Sequence, residues 1–224
     1  MLLSEMRTAV ADMAGDQDNT QFSTAQIDRY INWAQTEIAV RYDVYEKTIN
    51  ITALDSTDII GGILLPADFV RVSNLFWNSV KLSQIPASEM YSEGDAPITT
   101  GNGEPQYYAI ENYRTGNQRR LSLYPYQTPG RSSGFTAKLF YVARPADLTL
   151  VGDISPLPLD IHETICEYAV ARCKMQENDL QGAKFFLDMV KEHMAYLGFN
   201  MSVTNSDSYA GMRADAESIF PIYD

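Results

Sequence analysis

The stretch FSTAQIDRYINWAQTEIAVRYDVYEKTINIT, residues 22–52, decides the fold, because its hydrophobic period changes partway along. The first part reads as a helix. Ser23 and Gln26 have capping-box spacing, in which each residue satisfies a backbone donor near the other. Phe22 and Ile27 stand at the two positions of a hydrophobic staple. Ile27, Tyr30, Ile31, Ala34 and Ile38 recur at three and four residues, which makes an apolar stripe on one face. The helix is expected to end near Tyr42. Thr48-Ile49-Asn50-Ile51-Thr52 then alternates with period two, as a half-buried strand does. Helix gives way to sheet across one short connection.

Upstream, Leu3, Met6, Val10 and Met13 share one face of a short helix, with Ser4 as its expected cap and Gly15 past its end. The polar run Gly15–Gln21 is a loop. Downstream, strand-like segments continue to Arg144. Asp58–Leu64 reads as two arms around a Gly61-Gly62 turn, and Val70–Trp77 with Val80–Ile85 as a strand pair. Gln106–Asn112, Arg120–Tyr124 and Phe135–Ala143 follow, so an antiparallel sheet or small sandwich is expected. Pro86–Pro105 has little periodicity and reads as a surface loop or as a loop that orders against a partner.

Helix returns after Pro156-Leu157-Pro158. Asp160 and Glu163 have capping-box spacing, and Ile161, Ile165, Tyr168, Ala169 and Cys173 form an inner face. After a break at Asn178-Asp179 comes a last stripe, Leu180, Ala183, Leu187, Val190, Met194 and Leu197, with Gly198 in the capping position. So short a connection makes the two helices an antiparallel hairpin. Phe199–Asp224 has no sustained period and closes on Phe220-Pro221-Ile222-Tyr223-Asp224. It either folds back on its parent domain or docks on another subunit or protein. The expected class is α+β: a four-helix α-helical bundle domain from residues 1–46 and 151–198, an inserted antiparallel β domain at 47–150, and an extended C-terminal arm at 199–224.

The 224 residues are 45% hydrophobic and 21% charged, a globular composition. With 29 acids against 17 bases the net charge is −12, which disfavours a generally basic nucleic-acid binder. Ile59–Pro66, an apolar stretch with two glycines inside, is too short to span a bilayer, and no membrane partner is expected. The opening MLLSEMR carries Glu5 and no apolar core, so no secretory signal is expected. Cys166 and Cys173 lie too far apart on one helix to bond and read as small buried residues. His162 and His193 fall on neighbouring helices and could approach each other, but two histidines do not complete a zinc site. Gly101-Asn102-Gly103 is no phosphate loop, and no GxSxG elbow occurs. Carboxylates are too plentiful for a pair of them to mean anything. No catalytic residue, metal site or cofactor is therefore expected.

Charge is unevenly spread. Residues 112–146 carry no acid and six bases, Arg114, Arg119, Arg120, Arg131, Lys138 and Arg144. These bases either pair with acids elsewhere in the fold or form a basic patch, led by Arg114, Arg119, Arg120 and Arg131, that meets a neighbouring copy or a nucleic-acid backbone.

Several segments resemble a known family in their order and spacing. They are Tyr30-Ile31-Asn32-Trp33-Ala34; the LPxDFxR segment of Leu65, Pro66, Asp68, Phe69 and Arg71; Pro105-Gln106-Tyr107-Tyr108; Leu121-Ser122-Leu123-Tyr124-Pro125; and Tyr141-Val142-Ala143-Arg144-Pro145-Ala146-Asp147-Leu148, followed by two helices. Over about residues 22–197 the chain is similar to the head-to-tail connector proteins of tailed bacteriophages, also called adaptor, neck or tail-tubular proteins. The resemblance implies a structural virion protein of the neck, made in the host cytoplasm and without catalysis. It implies a ring, commonly twelvefold, beneath the portal, with portal protein and tail tube or nozzle proteins as partners and DNA passing non-specifically through its channel. Phe220, Pro221, Ile222 and Tyr223 are the expected portal contact. Pro66 is expected to end a strand, and Asp68 to pair with Arg71 across the turn. The rival expectations are a tail-borne hydrolase of glycan or cell wall and a monomeric binding module.

Overall fold

The computed structural model describes residues 1–18, 20–52, 63–90, 104–112, 119–124 and 136–199. It is α+β. The helices are α1 (Leu3–Ala14), α2 (Thr24–Arg41), α3 (His162–Gln176) and α4 (Leu180–Tyr196). The strands are β1 (Glu46–Thr52), β2 (Ile63–Leu64), β3 (Phe69–Trp77), β4 (Val80–Lys81), β5 (Ser83–Gln84), β6 (Tyr107–Asn112), β7 (Arg119–Tyr124) and β8 (Thr136–Ala143). Two compact units divide the described chain: residues 1–49, 68–73 and 140–199, and the described parts of 50–67 and 74–139.

The first unit holds the helices, which share one hydrophobic core. The apolar stripe and staple of α2 are buried at Phe22, Ile27, Ile31, Ala34 and Ile38, but only half of the capping box forms: Gln26 Oε1 accepts from the Ser23 backbone N–H at 2.9 Å, while the Ser23 hydroxyl donates to that same oxygen and caps no backbone N–H. Ser4 does not cap α1. It lies inside the first turn, and the Glu5 carboxylate instead accepts from the Leu2 N–H at 2.7 Å. Gly15, at φ 81°, and Gly198, at φ 82°, each follow a helix end in the left-handed region. Each closes a Schellman pair: Asp16 N–H to the Ala11 carbonyl and Gly15 N–H to Asp12; Phe199 N–H to Met194 and Gly198 N–H to Ala195.

Helix α3 is the centre of the unit. Helices α1 and α2 pack on it and on each other, and α4 packs on it from its own side. The sequence shows one apolar face, yet His162, Thr164, Ile165, Cys166, Glu167, Tyr168, Ala169, Val170 and Ala171 are all buried. Small and polar residues reach the interior because neighbours cover this helix all round. The expected capping box at Asp160 and Glu163 does not form. The chain enters α3 through a 3₁₀ turn, Leu159–Ile161, which takes up Asp160. The Met6 carbonyl lies beside Cys166 and the Ala14 carbonyl beside Lys174, so α1 runs parallel to α3. Glu167 meets His193, so α4 returns antiparallel and ends level with the start of α3. Leu180, the first residue of the last stripe, is exposed; the Asp179 side chain caps α4 there by accepting from Gly182 N–H at 2.9 Å.

One sheet has the order β1-β8-β3-β4 and the other β2-β7-β6-β5. Along β1, Ile49 and Ile51 are half-buried while Thr48 and Asn50 are exposed, the period-two pattern. Strands β3 and β4 pair antiparallel through a turn whose Asn78 and Ser79 both have positive φ, with Trp77 opposite Val80. Val80–Ile85 is not one strand. Leu82 is buried between β4 and β5, and β5 leaves to pair parallel with β6 in the other sheet. The insert is therefore not wholly antiparallel. Ala87–Met90, in the expected loop, forms a 3₁₀ turn. The Gly61-Gly62 turn, the remainder of that loop up to Gly103, and the arm beyond Phe199 lie outside the described residues.

Candidate functional site

Two of the segments that carry the family resemblance, Tyr30–Ala34 and Tyr141–Leu148, meet within the helical unit. Asn32 on α2 grips the backbone of Leu148, its Oδ1 accepting from the Leu148 N–H at 2.7 Å and its Nδ2 donating to the Leu148 carbonyl at 3.0 Å. Gln35, one turn on and fully buried, donates from Nε2 to the Ala146 carbonyl and to Asn32, and accepts from the Ser155 hydroxyl at 3.1 Å. Trp33 stacks on Tyr168 at 4.7 Å, with the Arg172 guanidinium 4.0 Å over its ring. Amide side chains here do for a loop backbone what a strand partner does elsewhere.

The LPxDFxR segment divides between the units. Leu65, in the second, is buried, and its N–H donates to the Arg119 carbonyl at 3.0 Å, extending the β2–β7 pairing. In the first, Asp68 and Arg71 take different partners from those expected. The Asp68 carboxylate accepts from Lys47 Nζ at 2.6 Å and from the Tyr141 hydroxyl at 3.2 Å, and Phe69 packs on the Tyr141 ring. Arg71 reaches the last turn of α2, donating to the Val40 carbonyl at 2.7 Å and pairing with Asp43. A cation on the last carbonyls suits the negative end of the helix, and Asp68 is left to Lys47. The hydrogen bond to Asp68 raises the Lys47 pKa, while burial first and then Asp68 raise that of Tyr141.

Arg119 and Arg120 open β7, where Arg120 stands opposite Glu111 and Arg119 opposite Asn112. Arg114, Arg131 and the group Phe220, Pro221, Ile222 and Tyr223 lie outside the described residues. The two histidines do not meet. His162 is buried, with Nε2 3.0 Å from the Leu157 carbonyl and Nδ1 2.7 Å from the Met1 ammonium, and burial lowers its pKa. Nδ1 of His193 lies 2.9 Å from the buried Glu167 carboxylate, whose pKa burial raises against the pull of His193. Both cysteines are free and buried, with thiols pushed up to about 12 by burial. Among the described residues no cluster of His, Cys, Asp and Glu could hold a metal ion, and no helix is long and apolar enough to cross a membrane.

One surface was missed by sequence reading. Leu150, Val151, Ile154 and Leu159 are all exposed, on the segment that joins β8 to α3. That segment shows no period of two or of three to four. Its signal is the run of aliphatic residues between prolines, which reads equally well as buried loop packing.

Comparison with curated proteins finds no match. A protein-family model described as SU10 adaptor protein matches residues 1–214, nearly the whole chain and both of its units. The chain therefore belongs to the SU10 adaptor family, a family of phage head-to-tail adaptors.

Proposed function

We propose that this chain is one subunit of a ring, dodecameric in the particle, that sits under the portal, joins capsid to tail and forms part of the channel through which DNA leaves. The observation that carries the reading is the family match over residues 1–214. Membership gives the chain a structural connector role in the virion, in contact with portal and tail proteins. A structural adaptor family suggests a protein without an enzymatic role of its own. The helices of residues 1–46 and 151–198 form a four-helix bundle that builds the ring, which their shared core supports. Residues 47–150 form the insert that meets tail tube or nozzle proteins. The arm of 199–224 reaches the portal through Phe220, Pro221, Ile222 and Tyr223. Arg114, Arg119, Arg120 and Arg131 meet the next subunit. A net charge of −12 per copy suits a wall that repels passing phosphates, so DNA contact is non-specific and weak.

The experiment is the mass of purified portal rings mixed with this chain. Twelve copies per portal ring are expected. No binding to any portal ring, together with turnover of a cell-wall substrate, would overturn the reading.

A further inference from the structure

We infer that residues 147–163 form the acceptor face for a second copy of this chain, an aliphatic patch rimmed by acids that receives the basic segment 112–146 of its neighbour. The inference rests on the proposed ring and names the surface through which its subunits meet.

Leu150, Val151, Ile154 and Leu159 are 68%, 58%, 60% and 70% exposed. Single exposed aliphatic residues are ordinary, but these four belong to one short segment gathered around the start of α1. Leu2 bridges to Ile154, the Leu3 N–H donates to the Asp153 carbonyl at 2.8 Å, and the Ser4 N–H donates to Val151 at 3.2 Å. His162, which follows the turn containing Leu159, reaches Met1 from the other side. The loop is also pinned from within. Asp153 Oδ2 accepts from the Thr149 and Leu150 N–H groups, each at 2.7 Å, and the Asp153 N–H returns to the Leu150 carbonyl. Aliphatic side chains on a pinned loop pay little ordering entropy when covered, and a contiguous exposed apolar patch marks an interaction surface.

Charge selects the occupant. From Pro145 to Ala171 the sequence has no Lys or Arg. Asp147, Asp160 and Glu163 are exposed along it, while Asp153 is engaged by loop amides and Glu167 by His193. Two such acidic faces repel, so the patch does not pair with itself. Residues 112–146 have the opposite sign, with six bases and no acid. Contact between that acidic face and bases of a neighbour's 112–146 segment is heterologous, the kind that closes into a ring.

The test uses the full chain and purified portal rings of the same virion. The variants are Leu150→Asp with Ile154→Asp, and Asp160→Lys with Glu163→Lys, all at exposed positions and expected to stay folded, the second melting slightly early because Glu163 lies in the first turn of α3. Wild type is expected to fill portal rings cooperatively; both variants should need at least tenfold more protein and lose cooperativity. Mixing the Asp160→Lys/Glu163→Lys chain with an Arg119→Glu/Arg120→Glu chain should restore filling, because each then offers what the other lacks. Lys138→Glu, exposed on β8, replaces the arginine pair if that variant melts early. Variants that fill rings as wild type does overturn the inference and leave the ring standing. A folded mixture that fails to recover overturns the basic segment as occupant. Wild type that neither binds portal rings nor self-associates overturns the ring, and the inference with it.

Discussion

Gln35 is the residue whose loss should be felt most out of proportion to its size. Replacing it by Leu takes the Nε2 donor from the Ala146 carbonyl and the Oε1 acceptor from the Ser155 O–H, at a cost of about 1–3 kcal/mol, measurable by denaturant unfolding. Asp16 sets the loop between α1 and α2 in the same manner. It is taken from water, which raises its pKa, but the N–H groups of Phe22, Gln21 and Thr20 outweigh that and hold the carboxyl below its ordinary 3.8. A depressed folded pKa contributes stability above 3.8 that is lost as pH falls through the folded value. Asp16→Asn should therefore lower the melting temperature at pH 7 and flatten its fall on the acid side, as a pH series of thermal melts would record. Neither role was legible in the sequence. The carbonyl that Gln35 holds is 111 residues further along the chain, and a buried Gln on a helix looks like an exposed one until its partner is known. The same holds for Asn32 and for Asp68, whose nearest opposite charge in sequence, Arg71, is not the one it uses.

Among the elements, α3 carries the most packing and should be the least tolerant. Ile165→Ala, at a fully buried position between α3 and its neighbours, should cost about 2–5 kcal/mol in unfolding free energy, whereas Lys184→Ala on exposed α4 surface should cost little. Helices were the legible part. Periods of three and four and the Gly15 and Gly198 stops are local chemistry, so α1, α2, α3 and α4 could be read within a residue or two. What escaped was set by tertiary partners. The burial of α3 on all sides comes from three helices covering it, and the turn at Leu159–Ile161 displaced a cap that Asp160 and Glu163 spelled correctly. The break of Val80–Ile85 into β4 and β5 reflects a choice between two sheets, and each short arm alone fits either. The exposed Leu150–Leu159 surface escaped because an apolar run predicts burial without saying in which molecule.

For the whole molecule, charge and the arm are the parts that the proposed assembly would use. Deleting residues 204–224 should leave a folded protein with unchanged melting that no longer docks on portal rings, read by co-sedimentation; a truncated chain that docks normally removes the arm from the contact. The family was legible from short segments in order, and the locking of Asn32 onto Leu148 and Gln35 onto Ala146 gives two of those segments a physical meaning. Copy number and contacts were not, because contacts between chains leave no period within one. The central claim is that this protein acts by shape and repetition at the junction of head and tail. The most direct measurement is a cryo-EM reconstruction of infectious particles at the portal vertex. A closed ring of twelve copies between portal and tail, with the Leu150–Leu159 surface of each against its neighbour, is the expected result. Infectious particles with no density for this chain at that vertex would contradict it.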